Sequence, residues 1–173
     1  ADNINRILNL ARIESKSYAN EFVDTNILKT IDNFFDNNRH LFQHSCIRIH
    51  PPPQELSTFR INPPLFEMLL MNLMTNALKY NESEKPAVDI RFEIESRKIC
   101  IRFEDNGIGI DKKELRKVFR KFYQIGRADN MSAKGSGLGL SLVQTIAHIH
   151  KWKVSASSGG RGKGSAFMLI LPT

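Results

Sequence analysis

Apolar positions in this chain switch between helical and alternating spacing, and the switches predict the order of its elements. Ile4, Ile7, Leu8 and Ala11 share one face at helical spacing. That helix is short and needs a partner surface to be stable. Ser15 to Asn20 is polar and reads as a linker. A second helix is predicted with Asp24 or Thr25 as its N-cap, carrying Ile27, Leu28, Ile31, Phe34 and Phe35. Cys46 to His50 alternates as a strand, and Pro51, Pro52 and Pro53 end it because proline has no amide hydrogen for a ladder. Asn62-Pro63 marks a helix start. Phe66, Leu69, Leu70, Leu73 and Ala77 form the apolar face of that helix to about Tyr80, with Asn72, Asn76 and Lys79 on a neighbouring stripe.

Val88 to Ile94 and Ile99 to Phe103 alternate on either side of Ser96-Arg97-Lys98, as a β-hairpin whose second strand ends at Glu104-Asp105. A short helix is predicted from Lys112 to Val118, followed by the aromatic cluster Phe119 to Tyr123. Gln124 to Ser136 is polar and aperiodic, a mobile loop of a length that usually carries function. A further helix is expected from Gly137 through Leu140, Val143, Ile146 and Ala147. Trp152, Val154 and Ala156 alternate as a strand, Ser158 to Gly164 is a glycine turn, and Ala166 to Leu171 is the closing strand.

Composition narrows the class. The chain has 173 residues, 41% hydrophobic and 25% charged, which excludes disorder, collagen and low complexity as descriptions of the whole. Cys46 and Cys100 each sit in an apolar alternating run and read as two free thiols in a reducing compartment. No metal-ligand cysteine spacing occurs. A net charge of +7 raises the expectation of an anionic partner, whether nucleotide, nucleic acid or lipid. No apolar run approaches the roughly 18 residues of a membrane span. The chain opens at Ala1 within a helical pattern, without a signal peptide, so a piece of a longer protein is expected.

Three stretches carry candidate chemistry. Asn72 and Asn76 project from one stripe with Lys79 on the next turn; amide oxygens suit Mg²⁺ and an ammonium suits phosphate. A solvated helix face is the other reading. Asp105-Asn106-Gly107-Ile108-Gly109-Ile110 follows a strand, where a carboxylate could accept from the exocyclic amine of adenine and would be left unpaired by guanine. An ordinary Asp-Asn-Gly turn is the alternative. Lys134-Gly135-Ser136-Gly137-Leu138-Gly139-Leu140 runs into a helix, whose free amides and dipole make an anion site. It is neither a Walker loop nor a dinucleotide fingerprint, and a flexible loop before a late helix start stays open.

Together these stretches resemble the sensor histidine kinases. Asn72-Leu73-Met74-Thr75-Asn76-Ala77-Leu78-Lys79-Tyr80 resembles their N box, Asp105 to Ile110 the G1 box, and Phe119-Arg120-Lys121-Phe122 the F box. Gly135 to Leu140 resembles the G2 box, and Gly162-Lys163-Gly164-Ser165-Ala166-Phe167 the closing glycine motif. All occur in the family's order, over roughly Asp24 to Pro172. The resemblance implies the ATP-binding domain that histidine kinases share with gyrase-type topoisomerases, heat-shock ATPases and mismatch-repair ATPases. Its fold is an α/β two-layer sandwich, the Bergerat ATP-binding fold, a mixed sheet with helices on one face. Here a short N-terminal helix would precede it. Residues 1–20 would be the remnant of a dimerisation helix with its linker, and 21–173 the ATP-binding catalytic domain.

The resemblance also implies roles. Asn76 would hold Mg²⁺, Lys79 would reach the phosphates of ATP, and Tyr80 would wall the adenine or ribose. Asp105 would accept from the adenine amine, with Gly107 and Gly109 giving the base room, and Ile110, Phe122 and Ser165 would be further ATP-binding residues. Lys134, Gly135, Ser136, Gly137, Leu138 and Gly139 would serve the phosphates, with Gln124 to Lys134 as a lid. Phe119 and Phe122 would anchor that lid on the core. Asn72 and Lys121 are the catalytic candidates, Lys121 near the γ-phosphate.

In the hydrolysing branches a glutamate general base stands where this chain has Asn72. An amide cannot take a proton from water near neutral pH, and Glu67 lies on the opposite side of the helix, so hydrolysis should be slow. The γ-phosphoryl group is then kept for an imidazole. None of His40, His44, His50, His148 or His150 has the sequence setting of the acceptor, and His150 reads as structural. Ile7 to Ser15 is similar to the end of the family's second dimerisation helix. The acceptor is therefore expected upstream, in a homodimeric cytoplasmic parent, or the cytoplasmic portion of an inner-membrane sensor, that works with a response regulator. A serine-kinase or anti-sigma-like member of the superfamily and a nucleotide-binding pseudokinase are the alternatives. A nucleic-acid partner is not expected, since no reading helix or basic-aromatic stacking pattern occurs.

Overall fold

The computed structural model describes residues 4, 8, 11, 13, 21–52, 58–125 and 137–172. The predicted N-terminal helix and its linker lie largely outside the described residues. Of the positions seen there, Ile13 is buried in the core, while Ile4 and Leu8 are exposed.

Strand β1 (Val23–Asn26) pairs antiparallel with β3 (Thr58–Ile61) as a separate ribbon. Helix α1 (Ile27–Asn37) therefore starts later than the predicted Asp24 or Thr25 cap. Those residues are committed to the ladder, and the Thr25 hydroxyl donates back to the Val23 carbonyl. Asn26 is the cap, its Oδ1 accepting from the Lys29 N–H at 2.9 Å. Strand β3 was not predicted because its short run buries only Ile61 fully. A short helix α2 (Arg39–Phe42) sets Phe42 against Phe34 and Phe35.

Strand β2 (Cys46–His50) ends before the prolines, as expected. Helix α3 (Pro63–Lys79) has Asn62 as N-cap, its side chain accepting from the Leu65 N–H at 3.1 Å. The hairpin β4 (Ala87–Glu95) and β5 (Lys98–Asp105) turns at Ser96 and Arg97, both at positive φ. Helix α4 (Gly139–Ile149), β6 (Lys153–Ser157) and β7 (Ser165–Leu171) complete the described elements. Cys46 and Cys100 are free thiols.

The main sheet has the order β2-β4-β5-β7-β6, parallel at β2–β4 and antiparallel elsewhere, which is the expected mixed sheet. Alternate residues Val88, Ile90, Ile101, Phe103, Leu169 and Leu171 enter one core with Phe66, Leu69, Leu70 and Leu73 of α3 and Leu142, Val143 and Ile146 of α4. On the opposite side of the sheet, Arg48, His50 and Arg91 gather around Asp89. Hydrogen bonds from Arg48 and His50 hold the Asp89 carboxyl well below the usual carboxylate range.

Two further segments differ from expectation. Residues 112–118 form a run of turns and not a helix: Lys117 bonds to Glu114 and Arg120 to Lys117, three residues back, and such a short segment does not repay helix nucleation. Helix α4 starts at Gly139 because Gly137 has φ +70°, outside the right-handed helical region. Among the described residues no helix is long and apolar enough to cross a membrane.

Candidate functional site

A cavity of about 520 Å³ opens between α3, the β5 end and the start of α4. Asn72, Thr75, Asn76 and Lys79 of α3 line it, because positions i, i+3, i+4 and i+7 share one stripe. The Asn72 amide is buried, and its Nδ2 donates to the Met68 carbonyl at 2.8 Å. Its Oδ1 faces Gly139, where an added Cβ would lie 3.2 Å away. Glu67 is exposed and does not line the cavity. Lys79 places its Nζ 5.3 Å from the centroid of Tyr80, and both line the cavity.

Asp105 stands at the end of β5, and three donors fix its carboxylate. Oδ1 accepts from the Gly107 N–H at 2.8 Å and the Ser165 N–H at 3.2 Å, and Oδ2 accepts from the Ser165 hydroxyl at 2.8 Å. Burial pushes the carboxyl above its ordinary value, and those three bonds pull it partly back. The loop after Asp105 is tied to α3 by the Ile108 N–H on the Tyr80 carbonyl at 3.0 Å. The glycine turn 158–164 closes over it: Gly162 donates to Ile108 at 2.7 Å and Gly164 to Gly107 at 3.1 Å. Gly164 has φ +67°, and a Cβ there would collide with the Asp105 carbonyl. Ser158 joins the two loops, accepting from the Ile110 N–H and donating to the Gly164 carbonyl.

At the other end Gly137, Gly139 and Leu140 line the cavity, and among the described residues no side chain caps the first turn of α4. The Gly137 carbonyl accepts from the Phe122 N–H at 2.9 Å. A Cβ on Gly137 would sit 2.6 Å from the Phe122 backbone.

The structure thus brings Asn72, Asn76, Lys79, Tyr80, Asp105, Gly109, Ile110, Gly137, Gly139 and Ser165 to one cavity. Gly107 and Leu138 support it from behind, Leu138 buried. Lys134, Gly135, Ser136 and most of the expected lid lie outside the described residues; Gln124 lines the cavity. Phe119 packs edge-on against Phe167. Phe122 is 60% exposed at a positive φ, and its N–H donates to the Gly137 carbonyl. Lys121 is exposed and outside the cavity lining.

Sequence reasoning missed Thr75, Glu82, Ile108, Asp111, Tyr123 and Arg161 in the lining. Thr75 lies on the Asn72 stripe and was detectable there. Arg161 reaches the site by an ion pair to Asp111 at 3.1 Å, fifty residues away, which no local pattern reveals.

His150 is structural, as its sequence setting suggested. Its ring is buried, with Nδ1 on the Ile146 carbonyl at 2.8 Å and Nε2 accepting from the Asn62 N–H at 3.1 Å. Trp152 and Phe22 pack on it, and burial lowers its pKa below the ordinary value. Among the described residues no group of three His, Cys, Asp or Glu side chains could hold a metal by itself.

A family model described as histidine kinase-, DNA gyrase B- and HSP90-like ATPase matches residues 61–173. Over 98% of its length the chain is 29% identical to sensor protein kinase WalK of Staphylococcus haemolyticus, of which it covers 28%. It is 41% identical to sensor protein RprX of Bacteroides fragilis over 118 residues, which are 64% of the chain and 22% of that relative. The chain spans about a quarter of the length of these curated relatives. Among solved structures it is similar in fold to the mycobacterial sensor histidine kinase MprB. The TM-score is 0.71 at 22% identity, covering 88% of this chain and 97% of that one. It is also similar to full-length ShkA in complex with AMPPNP, with a TM-score of 0.76 at 20% identity, covering 98% and 35%.

Proposed function

This chain belongs to the histidine kinase-, DNA gyrase B- and HSP90-like ATPase family, and from that premise we propose that it is the ATP-binding catalytic domain of a sensor histidine kinase. The reading has it pass the γ-phosphoryl group of ATP to a histidine on an upstream dimerisation helix that this chain does not contain. The parent is then a homodimer that serves a response regulator from the cytoplasmic side. One observation carries the reading: three stretches far apart in sequence, around Asn76, Asp105 and Gly137, line a single cavity.

Each wall has a task. Asp105 Oδ2 accepts one bond from Ser165 and keeps a lone pair for the exocyclic amine of adenine. Guanine would present a carbonyl there. Lys79 lines the cavity and would meet the polyphosphate, and the first turn of α4 would offer amide donors and the positive end of a helix dipole. Asn76 lines the cavity, and its neutral amide oxygen is the donor that would hold Mg²⁺ beside the phosphates. When bound, the ion would supply charge neutralisation.

Asn72 explains why the phosphoryl group is spared from water. Its amide is occupied by the Met68 carbonyl, and it has no basicity to lend. Catalysis then rests on positioning and charge, with the nucleophile supplied by an imidazole outside the cavity.

The test is γ-labelled ATP with the parent chain. Label that is stable to alkali and lost in acid, and that is abolished by Asn76→Ala, is expected. Acid-stable label on serine or threonine would instead support a serine-kinase member of the superfamily. Steady-state phosphate release should stay near background; brisk release would show that Asn72 does not account for the restraint.

A further inference from the structure

We propose that the basic ridge from Lys112 to Arg120, beside the cavity, guides polyphosphate nucleotides into it and sets their association rate. This rests on reading the cavity as a nucleotide site. Residues 111–121 hold Lys112, Lys113, Arg116, Lys117, Arg120 and Lys121 against only Asp111 and Glu114. That excess of four positive charges is more than half of the chain's +7. Both carboxylates of the run have partners, Asp111 with Arg161 at 3.1 Å and Glu114 with Lys117 at 3.8 Å.

Several basic groups elsewhere meet acids. Arg48, His50 and Arg91 share Asp89, Arg102 meets Glu93 and Glu95, Arg39 meets Asp36, and Arg60 meets Asp24. The ridge is therefore where much of the positive excess lies, and its place is fixed by the same chain segment. Asp111, Val118 and Tyr123 line the cavity, while Lys112, Lys113, Arg116 and Arg120 are exposed. The three-residue bonds of the turn run hold this division: Val118 and Phe119 face the core as the charges face solvent.

Lys112, Lys113 and Arg116 are each within two residues of Asp111 or Val118, which line the cavity; at about 3.8 Å per residue their backbone lies within about 8 Å of the wall, comparable to the Debye length at physiological salt. Exposed charges gain little from a static contact in water. Their summed field acts on a ligand of several negative charges during its approach, which is an on-rate effect that salt removes. Stacking and hydrogen bonding inside the cavity govern departure and do not involve the ridge.

The experiment is stopped-flow binding of fluorophore-labelled ATP and equally labelled adenosine to the unaltered chain and to Lys112→Gln/Lys113→Gln/Arg116→Gln. At about 20 mM ionic strength the triple variant should bind ATP about tenfold more slowly, with dissociation within about twofold of the original. At about 500 mM salt the difference should shrink below about twofold, and adenosine should associate equally with both proteins. The corresponding triple change to Glu should slow ATP further. Unchanged ATP association, a loss confined to dissociation, or an equal loss for adenosine would overturn the proposal. Failure of both ligands to bind the unaltered chain would overturn the nucleotide reading beneath it.

Discussion

The two ends of the cavity are held in different ways. At the Asp105 end, backbone and side-chain bonds join four segments: the α3 end, the loop after β5, the glycine turn and the start of β7. At the Gly137 end, the described residues meet through the Phe122–Gly137 bond and an uncapped helix start. A site that must tell one base from another needs its acceptor fixed before the ligand arrives. A site for phosphate needs donors left without internal partners. The cross-linked end therefore suits selection, and the end where a helix begins suits anion capture.

Breaking the cross-links should have the largest effect on folding. Gly164→Ala places a methyl against the Asp105 carbonyl at a positive φ, and a loss of about 3 kcal/mol in urea unfolding is expected. Gly137→Ala is equally strained locally, but should cost about 1 kcal/mol and weaken ATP more than it weakens the fold. If the two variants unfold alike, the contrast between the ends fails.

The Asp105 end should also show a conflict between function and stability. Burial raises the folded pKa of Asp105 above its unfolded value. Its contribution to stability is then favourable at low pH and falls as pH rises from the unfolded value to the raised one, leaving a cost at neutral pH. Asp105→Asn removes that cost while the Ser165 hydroxyl and Gly107 N–H keep partners. The melting temperature without ligand should rise at pH 7, and the gain should vanish at low pH. A lower melting temperature at pH 7 would show that the carboxylate is structural.

His150 gives the opposite sign. Its folded pKa is depressed, so its contribution is complete above about pH 6.5 and is lost as pH falls below that value. Protonation would set a charge on Nε2 against the Asn62 N–H. His150→Gln should flatten the acid side of the stability profile while leaving neutral-pH ATP affinity within about twofold. The smallest effect should come from a place remote from both ends: Ser96→Asn/Arg97→Gly relieves two positive-φ residues and should add about 0.5–1 kcal/mol without changing nucleotide binding.

Much of this was legible in the residues. The Asn62-Pro63 start, the α3 stripe and the hairpin follow from capping and periodicity, and the glycine positions near Asp105 signal close backbone approach. Three features were not legible. The β1–β3 ribbon is specified by pairing between residues 32 to 38 positions apart, and its strands carry too few buried positions to alternate visibly. The turn run after Asp111 has helix-forming residues but too little length. Phe122 reads as a core aromatic, yet it is exposed and takes part through a backbone bond to Gly137 that no side-chain pattern encodes.

The most direct test of the account is calorimetric titration of Mg²⁺-ATP and Mg²⁺-GTP into the unaltered chain and Asp105→Asn. The account predicts that ATP binds in the micromolar to sub-millimolar range and GTP at least about 30-fold more weakly, a difference of about 2 kcal/mol, and that the variant loses this preference. Equal binding of the two nucleotides by the unaltered chain, or no heat with either, would contradict it.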